Sequence, residues 1–345
     1  MNDNVELGLD TFGDLSTGPD GQSSSYAEVI REVVAQGVLA DQLGIDYFGV
    51  GEHHRDDFAL SAPDIALAAI AAQTTRIKLG TSVTVLSSDD PVRVYERFAT
   101  LDAVSNGRAE VTVGRGSFTE SFPLFGFDLD SYETLFEEKL QLLAQLRAEG
   151  PTSWSGTVRG ALTGQRVFPT TEAGALPIWV GVGGSPESVV RAAGYGLPMM
   201  LAIIGGAPAR FAPFAELYRR ATLEFGHGVM PLGVHSPGFV APDDESARRT
   251  LFPYMKANRD RIGRERGWAP LTYEAFVADI EHGALHVGSP ETVAGKIADT
   301  ITTLGLSRFD LKYSAGPMPH SLLRQTIELY GTEVIPRVRK LLADR

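Results

Sequence analysis

Apolar positions along this chain alternate between two periods. Short runs rich in β-branched and aromatic residues are separated by longer stretches in which apolar residues return every three or four positions. This is the pattern of strands joined by amphipathic helices. Strands are predicted over Val5–Leu9, Tyr47–Val50, Ile77–Val85, Ala109–Val113, Ile178–Val182, Met199–Ile203, Leu232–Val240 and Phe309–Lys312. Helices are predicted over Tyr26–Leu43, Ala62–Gln73, Val92–Val104, Tyr132–Ala148, Glu187–Ala193, Ala209–Phe225, Thr292–Leu304 and Ser321–Leu342. Strict alternation implies parallel strands with helical crossovers, and eight such units predict an α/β fold closed into a (β/α)8 TIM barrel. The whole chain, 1–345, reads as one barrel domain with insertions after strands 4 and 7. Residues 150–172 are turn-rich and read as a hairpin leading into the fifth strand, whereas residues 243–288 carry an extra helix (ESARRTLFPYMKANRDRIGRER) and a second helical segment. Barrel chemistry sits at the C-terminal ends of the strands, so long loops there are candidate lids.

Composition narrows the chemistry. A net charge of −12 without any Lys/Arg run would repel a nucleic-acid backbone or an anionic membrane, leaving a small organic molecule as the expected partner. The absence of cysteine excludes disulfides, thiol nucleophiles, iron–sulfur clusters and thiolate-bound zinc. The N-terminus lacks an apolar signal core and no later segment runs uninterrupted for a membrane span, so the expected location is the cytoplasm.

Of seven histidines, two stand together in GEHHRDDF, residues 51–58, where an apolar strand meets a polar loop. Neighbouring strand residues face opposite ways, so His53 is expected on one side and Glu52 with His54 on the other. A hydrogen-bonding loop histidine is the plain alternative. Metal ligation by His53, His54, Asp56 and Asp57 lacks one-face spacing and is not expected. In VGVGGSPES, residues 180–188, the position that a dinucleotide fingerprint gives to its last glycine holds Pro186, and no acidic residue follows at the right distance. The same stretch offers Ser185 as a helix cap, Pro186 in the first turn and Ser188 beside it, a set suited either to an ordinary capped helix or to a phosphate. In GRGSF, residues 114–118, Arg115 lies between glycines and Ser117 adds a hydroxyl. The fourth and fifth strands are neighbours in a barrel, so Arg115 and the Ser185 turn should converge on one phosphate, with a simple salt bridge as the alternative. Between the histidine and arginine strands, GTSVTVLSSDDPVR (80–93) presents Ser82, Val83 and Thr84, small enough for a flat ring to approach the backbone.

Taken in order, EHH, GTSVTVLSSDDPVRVYE, DAVSNGRAEVTVGRG, VGVGGSPES, AAGYGLPMM and HVGSPETVAGKI resemble the bacterial luciferase-like flavin-dependent monooxygenases over nearly the whole chain. The resemblance implies a dimeric barrel binding reduced FMN at its C-terminal mouth. Arg115, Ser117, Ser185 and Ser188 would hold the phosphate, with backbone from Val182, Gly183 and Gly184. Ser82–Val83 would form a non-proline cis peptide under the flavin, Glu52 would lie near it, His53 would act as catalytic base and His54 would be its loop-facing neighbour. Reduced flavin would come from a separate reductase and react with O2 to oxidise a small organic substrate, with Ile203, Ile204, Phe239 and Tyr313 on the substrate side. Two departures stand out: light-producing members carry a reactive cysteine where this chain has Gly114, and Glu133 replaces a second arginine. Both argue against luminescence and against a two-arginine clamp. The alternatives are a deazaflavin-dependent dehydrogenase of the same superfamily, a non-catalytic flavin-binding barrel, and a barrel hydrolase using His53 and Asp56.

Overall fold

The computed structural model describes residues 5–18, 21–116, 118–172 and 174–345. Strands, in chain order, are β1 (Glu6–Thr11), β2 (Tyr47–Val50), β3 (Lys78–Thr81), β4 (Thr84–Val85), β5 (Val111–Gly114), β6 (Thr152–Trp154), β7 (Leu162–Gln165), β8 (Ile178–Val182), β9 (Met199–Ala202), β10 (Leu232–Val240), β11 (His286–Gly288) and β12 (Arg308–Lys312). The main path runs β3-β2-β1-β12-β10-β9-β8-β5-β4 with every pairing parallel. β3 and β4 are two pieces of the single predicted third strand, separated by a cis peptide bond at Ser82–Val83. The path therefore nearly closes on itself, with one bridge from Leu79 to Ala109 across the seam. These are the eight predicted strand positions.

The helices are α1 (Tyr26–Gln42), α2 (Pro63–Ala71), α3 (Pro91–Ser105), α4 (Ser121–Phe125), α5 (Tyr132–Leu146), α6 (Pro186–Gly194), α7 (Ala212–Glu224), α8 (Asp244–Arg266), α9 (Tyr273–His282), α10 (Pro290–Leu304), α11 (His320–Leu329) and α12 (Ile335–Ala343). Several begin as their sequences dictate. Ser25 and Glu28 form a reciprocal capping box on α1, Asp90 caps α3, and Ser289 followed by Pro290 starts α10. The predicted last helix is instead broken by a π turn at Tyr330–Val334, just before Pro336, whose ring cannot sit inside regular α-helical hydrogen bonding. The first insertion holds the expected antiparallel hairpin of β6 and β7, and the second holds α8, α9 and the short β11, which pairs with β10. Among the described residues no helix is long and apolar enough to cross a membrane.

The barrel floor is polar. Arg308, 1% exposed, bonds Glu6 and Glu110 while lying between the rings of Tyr47 (4.4 Å) and Trp179 (4.5 Å). One register row above it sit Gly8, Asp310 and His235. A Cβ on Gly8 would fall 2.2 Å from Asp310 Oδ1, so only glycine leaves this carboxyl its place.

Candidate active site at the barrel mouth

The chain leaving β2 splits the EHH motif between two environments. Glu52 Oε2 accepts from the Val85 N–H at 2.8 Å, and Glu52 Oε1 pairs with His54 Nε2 at 2.8 Å. The Glu52 N–H donates to Val83 O at 3.2 Å, so this residue fastens the segment around Ser82–Val83. His54, with a side chain only 9% exposed, is thus the partner of Glu52 and not the loop-facing residue expected. His53 turns the other way, stacked on Phe12 (4.7 Å, 27°) and packed against Phe58 (4.3 Å) and Phe118 (5.4 Å). Burial pushes its imidazole down to about 3, further than the nearby Asp14 charge can restore, so the ring is neutral. Its Nδ1 is buried without a hydrogen-bond partner. Asp56 pairs with Arg261 at 2.5 Å, and Asp57 with Arg55 at 3.0 Å. Neither carboxylate joins His53, and the described residues assemble neither a metal set nor a His53–Asp56 couple.

β5 and β8 are paired, and the side chains at their ends meet. Ser185 caps α6, its Oγ accepting from Ser188 N at 3.3 Å and bonding Ser188 Oγ at 2.9 Å. Arg115 Nη2 donates to Ser188 Oγ at 3.2 Å, and Arg115 Nη1 bonds Glu133. From the opposite side Arg191 Nη2 donates to Glu133 Oε2 at 3.1 Å, while Arg191 Nη1 is buried and unpaired. Two guanidiniums and two hydroxyls at a helix N-terminus therefore surround one carboxylate. That donor set fits a phosphate, with Glu133 in the place an incoming anion would contest. Nothing lies within 4 Å of a Cβ built on Gly183, and Gly184 adopts φ +101°, so the turn leaves open space beside the donors. Val182 is buried beneath it. Ser117 lies outside the described residues. Arg191 escaped the sequence reading, although its position three residues after Ser188 puts both on one helix face.

Residues 11–308 match the luciferase-like monooxygenase family. The chain belongs to that family. It is 28% identical to an alkanal monooxygenase alpha chain of Photobacterium leiognathi over 93% of this chain and 96% of that one. Its fold is similar to that of monooxygenase RslO1 from Streptomyces bottropensis (TM-score 0.83, 24% identity, 96% and 99% coverage). The FMN-bound oxygenating constituent of 3,6-diketocamphane monooxygenase from Pseudomonas putida gives 0.77 at 20% identity, covering 97% and 98%. An F420-dependent secondary alcohol dehydrogenase gives 0.76 at 17%, covering 97% and 99%. At these identities the structural likenesses establish the barrel alone. The family places the chain among flavin-dependent monooxygenases.

In this luciferase-like monooxygenase Val83 occupies the space over two glycines. A Cβ on Gly114 would lie 2.7 Å from Val83 Cγ2, and one on Gly181 3.0 Å from Val83 Cγ1. The position where light-producing members carry cysteine thus has no room for a side chain while Val83 stands as it does. The expected substrate-side set is corrected. Ile203, Phe239 and Tyr313 are completely buried, and Tyr313 Oη donates to Gln36 Oε1 of α1 at 2.6 Å, so it faces the helical layer; only Ile204 is exposed. Behind the Glu52–His54 pair, away from His53, lies a cavity of about 270 Å3 lined by Asp64, Thr84, Arg97, Phe98, Lys139 and Arg159. Arg97 pairs with Asp89 and Arg159 with Asp90, and Lys139 Nζ donates to Ser87 O at 2.6 Å.

Four polar residues of the mouth went unread in the sequence. Lys312 Nζ lies 3.3 Å from Asp14 Oδ2 and 4.6 Å from the centre of the Phe12 ring. Burial raises the Asp14 carboxyl, but the Lys312 charge and donors from Ser314 (2.6 Å) and Gly316 N (2.8 Å) outweigh it and hold the group below its ordinary value. Asp10 and His235 form the other pair, at 2.6 Å.

Proposed function

We propose that this protein is an FMN-dependent monooxygenase that uses reduced flavin and O2 to oxidise a small organic substrate. The observation that carries the reading is the convergence of Arg115, Arg191, Ser185 and Ser188 around one anionic group at the start of α6, on the side of the barrel where β5 and β8 pair. These residues would bind the cofactor phosphate, with backbone from Val182, Gly183 and Gly184, and Ser117 would be a further ligand. Glu52, Ser82 and Val83 would contact the ring. When bound, reduced FMN supplies the electrons and the oxygen-activating chemistry. The chain's own tasks are orientation, exclusion of water and control of protons. Phe12, Phe58 and Phe118 wall the site against water. Neutral His53, with a buried unpaired Nδ1, supplies a hydrogen bond to the reacting oxygen. A separate reductase provides reduced flavin, and the working unit is a homodimer.

The test is fluorescence titration with FMN of the parent and Arg115→Ala. Charge-assisted hydrogen bonds contribute ~1.5–3 kcal/mol, so the variant should bind roughly 10- to 100-fold more weakly. Equal affinities would remove Arg115 from the phosphate site. One observation favours a second reading, a deazaflavin-dependent dehydrogenase. A cradle carrying its own Glu133 carboxylate suits a singly charged phosphodiester better than a doubly charged phosphomonoester. Tighter binding of deazaflavin than FMN, with no oxygen consumption, would select it.

A further inference from the structure

The Asp10–His235 pair has no task in the cofactor contacts above. Asp10 is the penultimate residue of β1 and His235 lies in β10, both strands neighbours of β12, and both side chains point into the barrel below Phe12. His235 Nδ1 and Asp10 Oδ2 are 2.6 Å apart, with Asp10 completely buried. With Asp10 as the acceptor, Nδ1 is the donor, and in that tautomer of the neutral ring Nε2 keeps its lone pair. The His235 side chain has no other hydrogen bond among the described residues, and it retains 11% exposure. Its ring lies parallel to Phe12 (5.8 Å, 11°), whose other neighbour is His53 (4.7 Å, 27°). Two imidazoles therefore share one phenylalanine, one anchored by a carboxylate and the other without a polar partner at its buried Nδ1. The charged and titratable groups around His235 are Asp10 on β1, Asp310 and Lys312 on β12, Asp14 in the loop after β1, and His53 beyond Phe12. Burial pushes the Asp310 carboxyl well above its ordinary value, against the opposing charge of Arg308.

We propose that His235, oriented by Asp10, is the proton-accepting residue of this site, and that it acts on a substrate bearing a phenol- or enol-type hydroxyl, with His53 as a neutral hydrogen-bonding companion. The inference rests on the monooxygenase reading. An imidazole base matches hydroxyls whose acidity lies near its own, which excludes plain alcohols. Phe12, Phe58 and Phe118 supply flat apolar surfaces for an unsaturated ring. In the step, the substrate O–H bond breaks, its electron pair stays on oxygen and the proton passes to Nε2. Asp10 balances the imidazolium charge. In the full turnover the O–O bond of O2 would break with two electrons and two protons supplied by reduced flavin. One oxygen would form a C–O bond at the activated carbon and become a hydroxyl with one of those protons, and the C–H proton would return to the substrate oxygen. The other oxygen would leave as water with the second flavin proton and the proton held on His235. Asp10 is a positioning residue, acting through His235.

The experiment uses 4-nitrophenol, whose ionisation is visible by absorbance, with the flavin-free protein at a pH below the probe's own pKa. The parent should bind it as the phenolate. His235→Gln and Asp10→Asn should bind it only as the neutral phenol, at least ~10-fold more weakly. Imidazole nitrogen NMR of the parent should show His235 protonated at Nδ1, and Asp10→Asn should move that proton to Nε2. A parent that binds the neutral phenol or no phenol, a phenolate retained in His235→Gln, or a parent His235 protonated at Nε2 would each overturn the proposal. FMN affinity is measured alongside. If the parent fails to bind flavin, the monooxygenase reading falls, while the phenolate and tautomer readings still judge His235 separately.

Discussion

Gly114→Ala tests whether Val83 shapes the flavin side of the mouth. The new methyl would sit 2.7 Å from Val83 Cγ2, 3.3 Å from its Cβ and 3.4 Å from its Cγ1. Carbon pairs settle at ~3.5–4.0 Å, so the isopropyl group must retreat by about 1 Å. On its other side Cγ1 lies 3.0 Å from the place a Gly181 Cβ would take, so the isopropyl group already lies over that glycine. Overpacking of this kind costs ~1–3 kcal/mol. Against it stands a gain of ~0.4–1 kcal/mol from the stiffer unfolded chain, because Gly114 is not held at positive φ. The expected net loss is about 1 kcal/mol, and Val83 can escape further loss only by turning into the mouth, where flavin binding would suffer. Urea unfolding of Gly114→Ala, Val83→Ala and the double variant separates these effects. In the Val83→Ala background the same Gly114→Ala change should be neutral or stabilising, a reversal of sign with a coupling of at least ~0.5 kcal/mol. If Gly114→Ala costs the same in both backgrounds, or costs nothing in either stability or FMN affinity, the steric reasoning is wrong.

Other expectations follow from the anion cradle and a buried histidine. Glu133→Gln removes a carboxylate shared by Arg115 and Arg191. For a side chain this exposed, screened repulsion of ~0.5–1.5 kcal/mol gives roughly 3- to 10-fold tighter FMN binding by fluorescence titration, and unchanged or weaker binding would show that Glu133 does not compete with the phosphate. His286 is completely buried, and burial, aided by the Lys296 charge, lowers its imidazole from 6.5 to about 3. The unfolded chain takes up that proton first as pH falls. The stabilising contribution is therefore complete above the ordinary histidine value and shrinks by ~1.4 kcal/mol per pH unit between the two pKa values. Urea unfolding across that range should show a shallower acid decline in His286→Gln, and parallel declines would contradict the assignment.

The barrel was legible because its strands are apolar runs separated by amphipathic helices, a pattern set locally. The break between β3 and β4 was not readable as a break from periodicity, since Ile77–Val85 is one continuous β-like run; only the family resemblance pointed to Ser82–Val83. β11 is three residues long and gives no period of its own. The meeting of Arg115 with Ser188 could be foreseen from strand adjacency alone. Asp10 and His235 could not, because each reads as an ordinary polar residue in a strand and the partner lies 225 positions away. Ile203 and Tyr313 were misplaced for a related reason. Side chains alternate along a strand, and in β12 the inward positions belong to Arg308, Asp310 and Lys312, which turns Tyr313 outward to Gln36.

The most direct measurement of the central claim is to load the flavin-free protein anaerobically with reduced FMN, mix it with O2 and follow absorbance. A monooxygenase should bind the reduced flavin stoichiometrically and show, after mixing, an absorbing species that precedes oxidised flavin and outlives the free reaction. Failure to bind reduced FMN, or immediate oxidation at the rate of free flavin, would contradict it.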